Sequence, residues 1–207
     1  MLPVFAIRPT PARKTAAKML AVTALTAGVL LTAPSAFAAD SITQTVTGGS
    51  RTASVADLAL ADVATSHSGT ALNTGVMTLS VDDSTGTGAG WNVTEQVSSF
   101  AYTAGGNSGT AIPAANFSIT SVGAVTSSAG QAIDATGTDV APTGPQSGNI
   151  DTGVTGTLDG PVTVLRAGAS FGQGTYSQAI NVNLAVPANS RAGTYTGTLT
   201  TTITAAP

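Results

Sequence analysis

The chain has 207 residues with 7 basic and 10 acidic side chains, no cysteine and only 8% charged residues, so disulfides, thiol catalysis and cysteine-ligated metals drop out. Four of the basic residues (Arg8, Arg13, Lys14, Lys18) lie in the first 38 positions, which leaves Arg51, Arg166 and Arg191 against all ten acids, a formal net of −7 with no lysine. Three scattered arginines cannot make the cationic cluster that a phosphate backbone or an anionic membrane surface requires, so nucleic acid is excluded as a partner.

The first element in chain order is an export signal. A basic start is followed by the apolar run Met19–Thr32, too short for a bilayer that takes roughly 20 helical residues. Ala36-Phe37-Ala38 then supplies a small-x-small cleavage site, so residues 1–38 read as a secretory signal peptide and 39–207 as one exported domain. No membrane insertion is expected after cleavage. Ser41–Val46 alternates Ile42, Gln44 and Val46 against threonines, which predicts a first strand ending at the Gly48-Gly49 turn. Ala53–Val63 fits helical and strand spacing equally well and is read as strand because its surroundings are strand-like.

Val76–Val81 predicts a strand with Met77, Leu79 and Val81 on one face. Asp82 to Gly90 reads as a turn-rich loop. Asp82 and Asp83 are weak calcium candidates, since adjacent carboxylates beside glycines offer oxygen ligands; the alternating acidic spacing of a calcium loop is absent, which favours a solvated hairpin loop and no metal. Trp91–Tyr102 predicts a strand whose phase changes near Ser98 and Ser99, the mark of a bulge. The single tryptophan, Trp91, reads first as core and second as a ligand-stacking residue. Phe117, Ile119 and Ser121 predict the next strand.

From 127 to 160 glycine, serine, threonine, proline and aspartate dominate, which predicts a flexible insertion suited to recognition. Pro161–Leu165 returns to strand, and 166–176 is a glycine-interrupted link without the strand-to-helix context of a phosphate-binding fingerprint. Ile180, Val182, Leu184 and Val186 then alternate with Asn181, Asn183 and Ala185 up to Pro187. After the turn 188–193, Tyr195, Leu199 and Ile203 share a face opposite a row of threonines, which predicts an antiparallel hairpin with the preceding strand.

No catalytic set emerges. His67, the only histidine, has no nucleophile elbow around it and reads as an exposed loop residue. Asp134, Asp139, Asp151 and Asp159 could pair for glycoside hydrolysis, but no aromatic platform lies between Phe117 and Phe171. The chain reads as a non-enzyme with no cofactor.

The order Trp91-x-Val93, Ile112-Pro113 with Phe117 after it, Gly172-x-Gly174-x-Tyr176, Leu184-x-Val186-Pro187 and Gly193-x-Tyr195-x-Gly197-x-Leu199 resembles the WxL-type surface domain of Gram-positive bacteria over Val76–Pro207. The resemblance implies an exported β-rich module held non-covalently on the cell wall, with peptidoglycan or other surface proteins as partners. It carries over Trp91 and Val93 as wall-binding residues. The first signature reads Trp91-Asn92-Val93 in this chain, and the last strand reads Thr201-Thr202-Ile203 where a second tryptophan is expected. The chain ends at Pro207 without a sortase motif or terminal membrane segment, so covalent anchoring is not expected.

The elements together predict an all-β protein, an antiparallel β-sandwich of immunoglobulin-like or Greek-key style, on the cell surface. A self-associating subunit of a surface fibre is the alternative, because the threonine-rich last strand lacks charges that guard an edge; a calcium-dependent adhesin is a third reading.

Overall fold

The computed structural model describes residues 42–105, 108–135, 137, 142–150 and 152–206, and the chain divides into two compact units, Met1–Gln44 and Thr45–Pro207. The expected export signal and its expected cleavage site lie outside the described residues. The strands of the second unit are β1 (Arg51–Val55), β2 (Ala71–Asp83), β3 (Trp91–Val97), β4 (Ala101–Gly105), β5 (Phe117–Val122) and β6 (Thr126–Gly130). They continue with β7 (Gln146–Ser147), β8 (Gly156–Thr157), β9 (Val162–Ala167), β10 (Gly174–Val186), β11 (Gly193–Thr196) and β12 (Leu199–Ala205). Among the described residues the only helical element is a short 3-10 turn at Ala114–Asn116.

Every strand pair is antiparallel. One sheet runs β1-β2-β10-β5-β8 with β6 also on β10; a second runs β12-β3-β9-β7; β11 and β4 form a two-stranded ribbon. The inner faces follow the period-two pattern of the sequence. Met77, Leu79 and Val81 of β2 and Tyr176, Ile180, Val182 and Leu184 of β10 meet Trp91, Val93, Val97, Val164 and Leu165 of the second sheet in one apolar core. The protein is therefore an all-β sandwich, as its alternation predicts.

Four local expectations change. Described residues from Ile42 to Ser50 form no strand, and Ile42 and Val46 are 99% and 88% exposed; alternation there meets no inner face to bury it. Of the ambiguous stretch Ala53–Val63 only Ala53–Val55 pairs, as the end of β1, and Leu58 and Leu60 pack instead over Gly75, where a Cβ would meet their methyl groups. The hairpin predicted at the C-terminal end does not form. Both edges of β10 are occupied, by β2 on one side and by β5 and β6 on the other, so the following residues split between β4 and β3. The stretch 127–160, expected as a flexible insertion, carries part of β6 together with β7 and β8 and buries Val154 and Leu158 in the core. The predicted phase change at Ser98 and Ser99 is present, and Phe100 beyond it bridges to Ile112.

Candidate functional site

The register of β2 against β10 sets two ends of the domain. Ala71 lies opposite Val186 and Asp83 opposite Gly174, so the loops before β2 and after β10 meet at one end, and the loops after β2 and before β10 meet at the other. Tyr176 and Val186 are ten residues apart on β10, which separates the two ends by roughly 33 Å.

Trp91 occupies the second of these ends. It is 0% exposed, its Nε1–H donates to the Gly172 carbonyl at 3.0 Å, and its ring tilts 46° against Tyr176 with centroids 6.1 Å apart. Val93 is likewise 0% exposed. The close approach of Gly172 needs glycine twice over: its φ is +88°, and a Cβ would stand 2.5 Å from Trp91 Nε1. As folded, Trp91 and Val93 present no surface to a polymer. The two signature strands are nonetheless neighbours, with Ala205 opposite Trp91, Ile203 opposite Val93 and Thr201 opposite Glu95.

Sequence reading passed over Glu95, whose signal is a carboxylate in phase with Trp91, Val93 and Val97. It is 0% exposed and its carboxyl oxygens accept from Thr201 Oγ1–H at 2.9 and 3.0 Å. Burial raises its pKa from 4.5 to about 7, against the smaller opposing effect of the Thr201 bond. Thr201 thus supplies a hydroxyl to a buried carboxyl in the strand where a tryptophan was expected.

Asp82 and Asp83 lie at the end of β2 and not in a solvated loop. Asp83 is buried; its Oδ2 accepts from Arg51 at 2.9 Å and its Oδ1 from the Thr85 N–H and hydroxyl. Burial pushes this carboxyl up, but the Thr85 bonds and Arg51 outweigh it and hold the group below its ordinary value. Asp82 Oδ1 accepts from Thr175 Oγ1–H at 2.7 Å. Among the described residues no group of three or more metal-ligating side chains is present.

The opposite end holds an open cleft of about 570 Å³ that sequence reading did not find. Thr65 to His67 form one wall, Asn189 to Ala192 the other, and Tyr102 of β4 lines it as well. The loops are pinned together: the Asn189 N–H donates to Ser66 O at 2.7 Å, and His67 Nδ1 lies 3.3 Å from Asn189 Oδ1. Asn189 sits at φ 61°, a left-handed conformation that asparagine tolerates. Two tyrosines brace the same segment. Tyr195 donates its hydroxyl to Arg191 O at 2.9 Å and Tyr102 to Ala192 O at 3.0 Å, while their rings meet edge to face at 5.3 Å. Arg191 is exposed, and among the described residues its guanidinium has no ion pair. No carboxylate lines the cleft. The arrangement can hold a polar, anionic or sugar-like group; it contains no nucleophile–base pair. The signal was present as His67 and Arg191, but only the β2–β10 register joins them.

A smaller cleft of about 310 Å³ is lined by Val125, Ile133, Asp134, Ser147 and Asn149, and there Asp134 Oδ2 accepts from the Thr143 N–H and hydroxyl.

Among the described residues no helix is long and apolar enough to cross a membrane. No curated protein and no solved structure matches the chain significantly. The WxL domain, described as a surface cell wall-binding domain, matches residues 36–207. That span covers most of the chain and both sheets of the sandwich, and on it the protein belongs to the WxL family of cell-surface, cell wall-binding domains.

Proposed function

We propose that the protein is exported by the segment 1–38, is cleaved before Ala39, and holds non-covalently to the bacterial cell wall as a non-enzymatic attachment module with peptidoglycan as its partner. The family match over 36–207 carries this reading. The geometry supports it with a rigid sandwich and an open polar cleft. Trp91 and Val93, buried in the core, enter the proposal through the fold they hold together, because neither is exposed.

Co-sedimentation of the purified protein with purified cell walls tests the reading. Saturable binding that walls digested to soluble fragments abolish by competition is the expected result. A protein that stays in the supernatant at every wall concentration would overturn it.

A further inference from the structure

We infer that the cleft between the β1–β2 and β10–β11 loops is the wall-contacting site and that Arg191 in it anchors an anionic oxygen group, a carboxylate or phosphodiester, carried on the wall polymer. This inference rests on the wall-attachment reading and names the ligand chemistry and the residues.

The charge distribution carries the argument first. Beyond the signal the chain has three arginines and ten acids, so an anionic polymer is repelled by the molecule as a whole. Arg51 is consumed by Asp83 in the core-facing end of β2. Arg166 also has an interaction partner. Arg191 has no ion pair among the described residues, and it opens onto a cleft that also holds the only histidine and no carboxylate in its lining. In a protein of this composition the cleft is the place where an anion meets a cation without a competing acid nearby.

Preorganisation is the second argument. A guanidinium binds carboxylate or phosphate through a planar pair of N–H donors, and the gain is largest when the backbone that carries it is already held. The Arg191 and Ala192 carbonyls are each bonded by a tyrosine hydroxyl, Asn189 is bonded through both its N–H and its side chain to the facing loop, and Ser190 Oγ donates to Pro187 O at 2.8 Å. Gly193 follows at φ 151°, and a Cβ there would collide with Tyr102. Tyr102 also lines the cleft, and an aromatic side chain there adds an amphipathic surface suited to a sugar ring.

The test compares wild type, Arg191→Gln and Arg191→Lys in co-sedimentation with two wall preparations, one intact and one stripped of phosphodiester polymers by acid so that only carboxylates remain. Thermal melts establish that the variants fold. Arg191→Gln is expected to raise the dissociation constant about tenfold or more, with Arg191→Lys between it and wild type, because the charge survives and the fork is lost. Wild-type binding retained on stripped walls identifies carboxylate as the anchor, and binding lost there identifies phosphodiester; either result supports the inference. Folded Arg191→Gln binding both preparations like wild type overturns the inference and leaves wall attachment standing. Wild type that binds neither preparation overturns both.

Discussion

A carboxyl group on the inner face of β3 is expected to make the sandwich sensitive to pH. Glu95 has a folded pKa of about 7 against 4.5 unfolded, so between these values the native state holds a proton that the unfolded state has lost. Its contribution to stability, roughly 3 kcal/mol in total, is therefore full below about pH 4.5 and is lost as pH rises through about 7. Asp83 works in the opposite direction: its folded pKa is depressed, so its contribution is present above the unfolded value of 3.8 and lost as pH falls through the folded one. The melting temperature is thus expected to peak in mildly acidic buffer and to decline toward pH 8. Glu95→Gln, which keeps an acceptor for Thr201, should remove most of that decline; an unchanged pH profile in a folded Glu95→Gln protein would show that Glu95 is not its source. Trp91→Ala is expected to cost about 3 to 5 kcal/mol in urea denaturation, through the cavity it leaves and the orphaned Gly172 carbonyl. The core role of Trp91 was legible from alternation. The burial of Glu95 was not, because a carboxylate at an inward position reads as a phase error until the cross-strand hydroxyl of Thr201 is seen.

At the scale of elements, alternation revealed which face of β2, β5 and β10 is buried, since that face is a property of each strand alone. Pairing was less legible, because it depends on which strand edges are already occupied. The residues after Pro187 look like the second arm of a hairpin, yet β2 takes one edge of β10 and β5 with β6 the other, and Tyr195 and Ile203 end up facing different partners, Tyr102 and Val93. Glycine and serine content likewise hid the small strands β7 and β8, whose order comes from long-range pairing with β9 and β5. β1 is tied to the sheet by its ladder to β2 and by the Arg51–Asp83 pair, 2.9 Å apart and largely shielded. Arg51→Ala leaves Asp83 buried without its cation and is expected to cost roughly 2 kcal/mol, read as a lower urea midpoint at neutral pH. Asp83→Asn in the same background should recover part of the loss, because it removes the unpaired charge; no recovery would place the effect elsewhere.

At the scale of the whole sandwich, two clusters of side chains lie at opposite ends of β10. Trp91, Tyr176 and Gly172 consolidate the core at one end, and half-buried Tyr102 gathers with exposed Asn189 and Arg191 at the other, roughly 33 Å away. Wall-binding family membership was legible in the order of motifs, whereas the cleft was not: His67 and Asn189 are separated by 122 positions and meet only because two thirteen-residue strands run side by side. The most direct measurement is NMR chemical-shift mapping of the isotope-labelled protein on titration with soluble wall fragments. The expected result is saturable shifts at Ser66, His67, Tyr102 and Asn189 to Ala192, with the Trp91 indole N–H signal unmoved because it stays bonded to Gly172. Shifts that instead centre on Trp91 and Val93, with the cleft signals in place, would contradict the assignment of wall contact to this end of the sandwich.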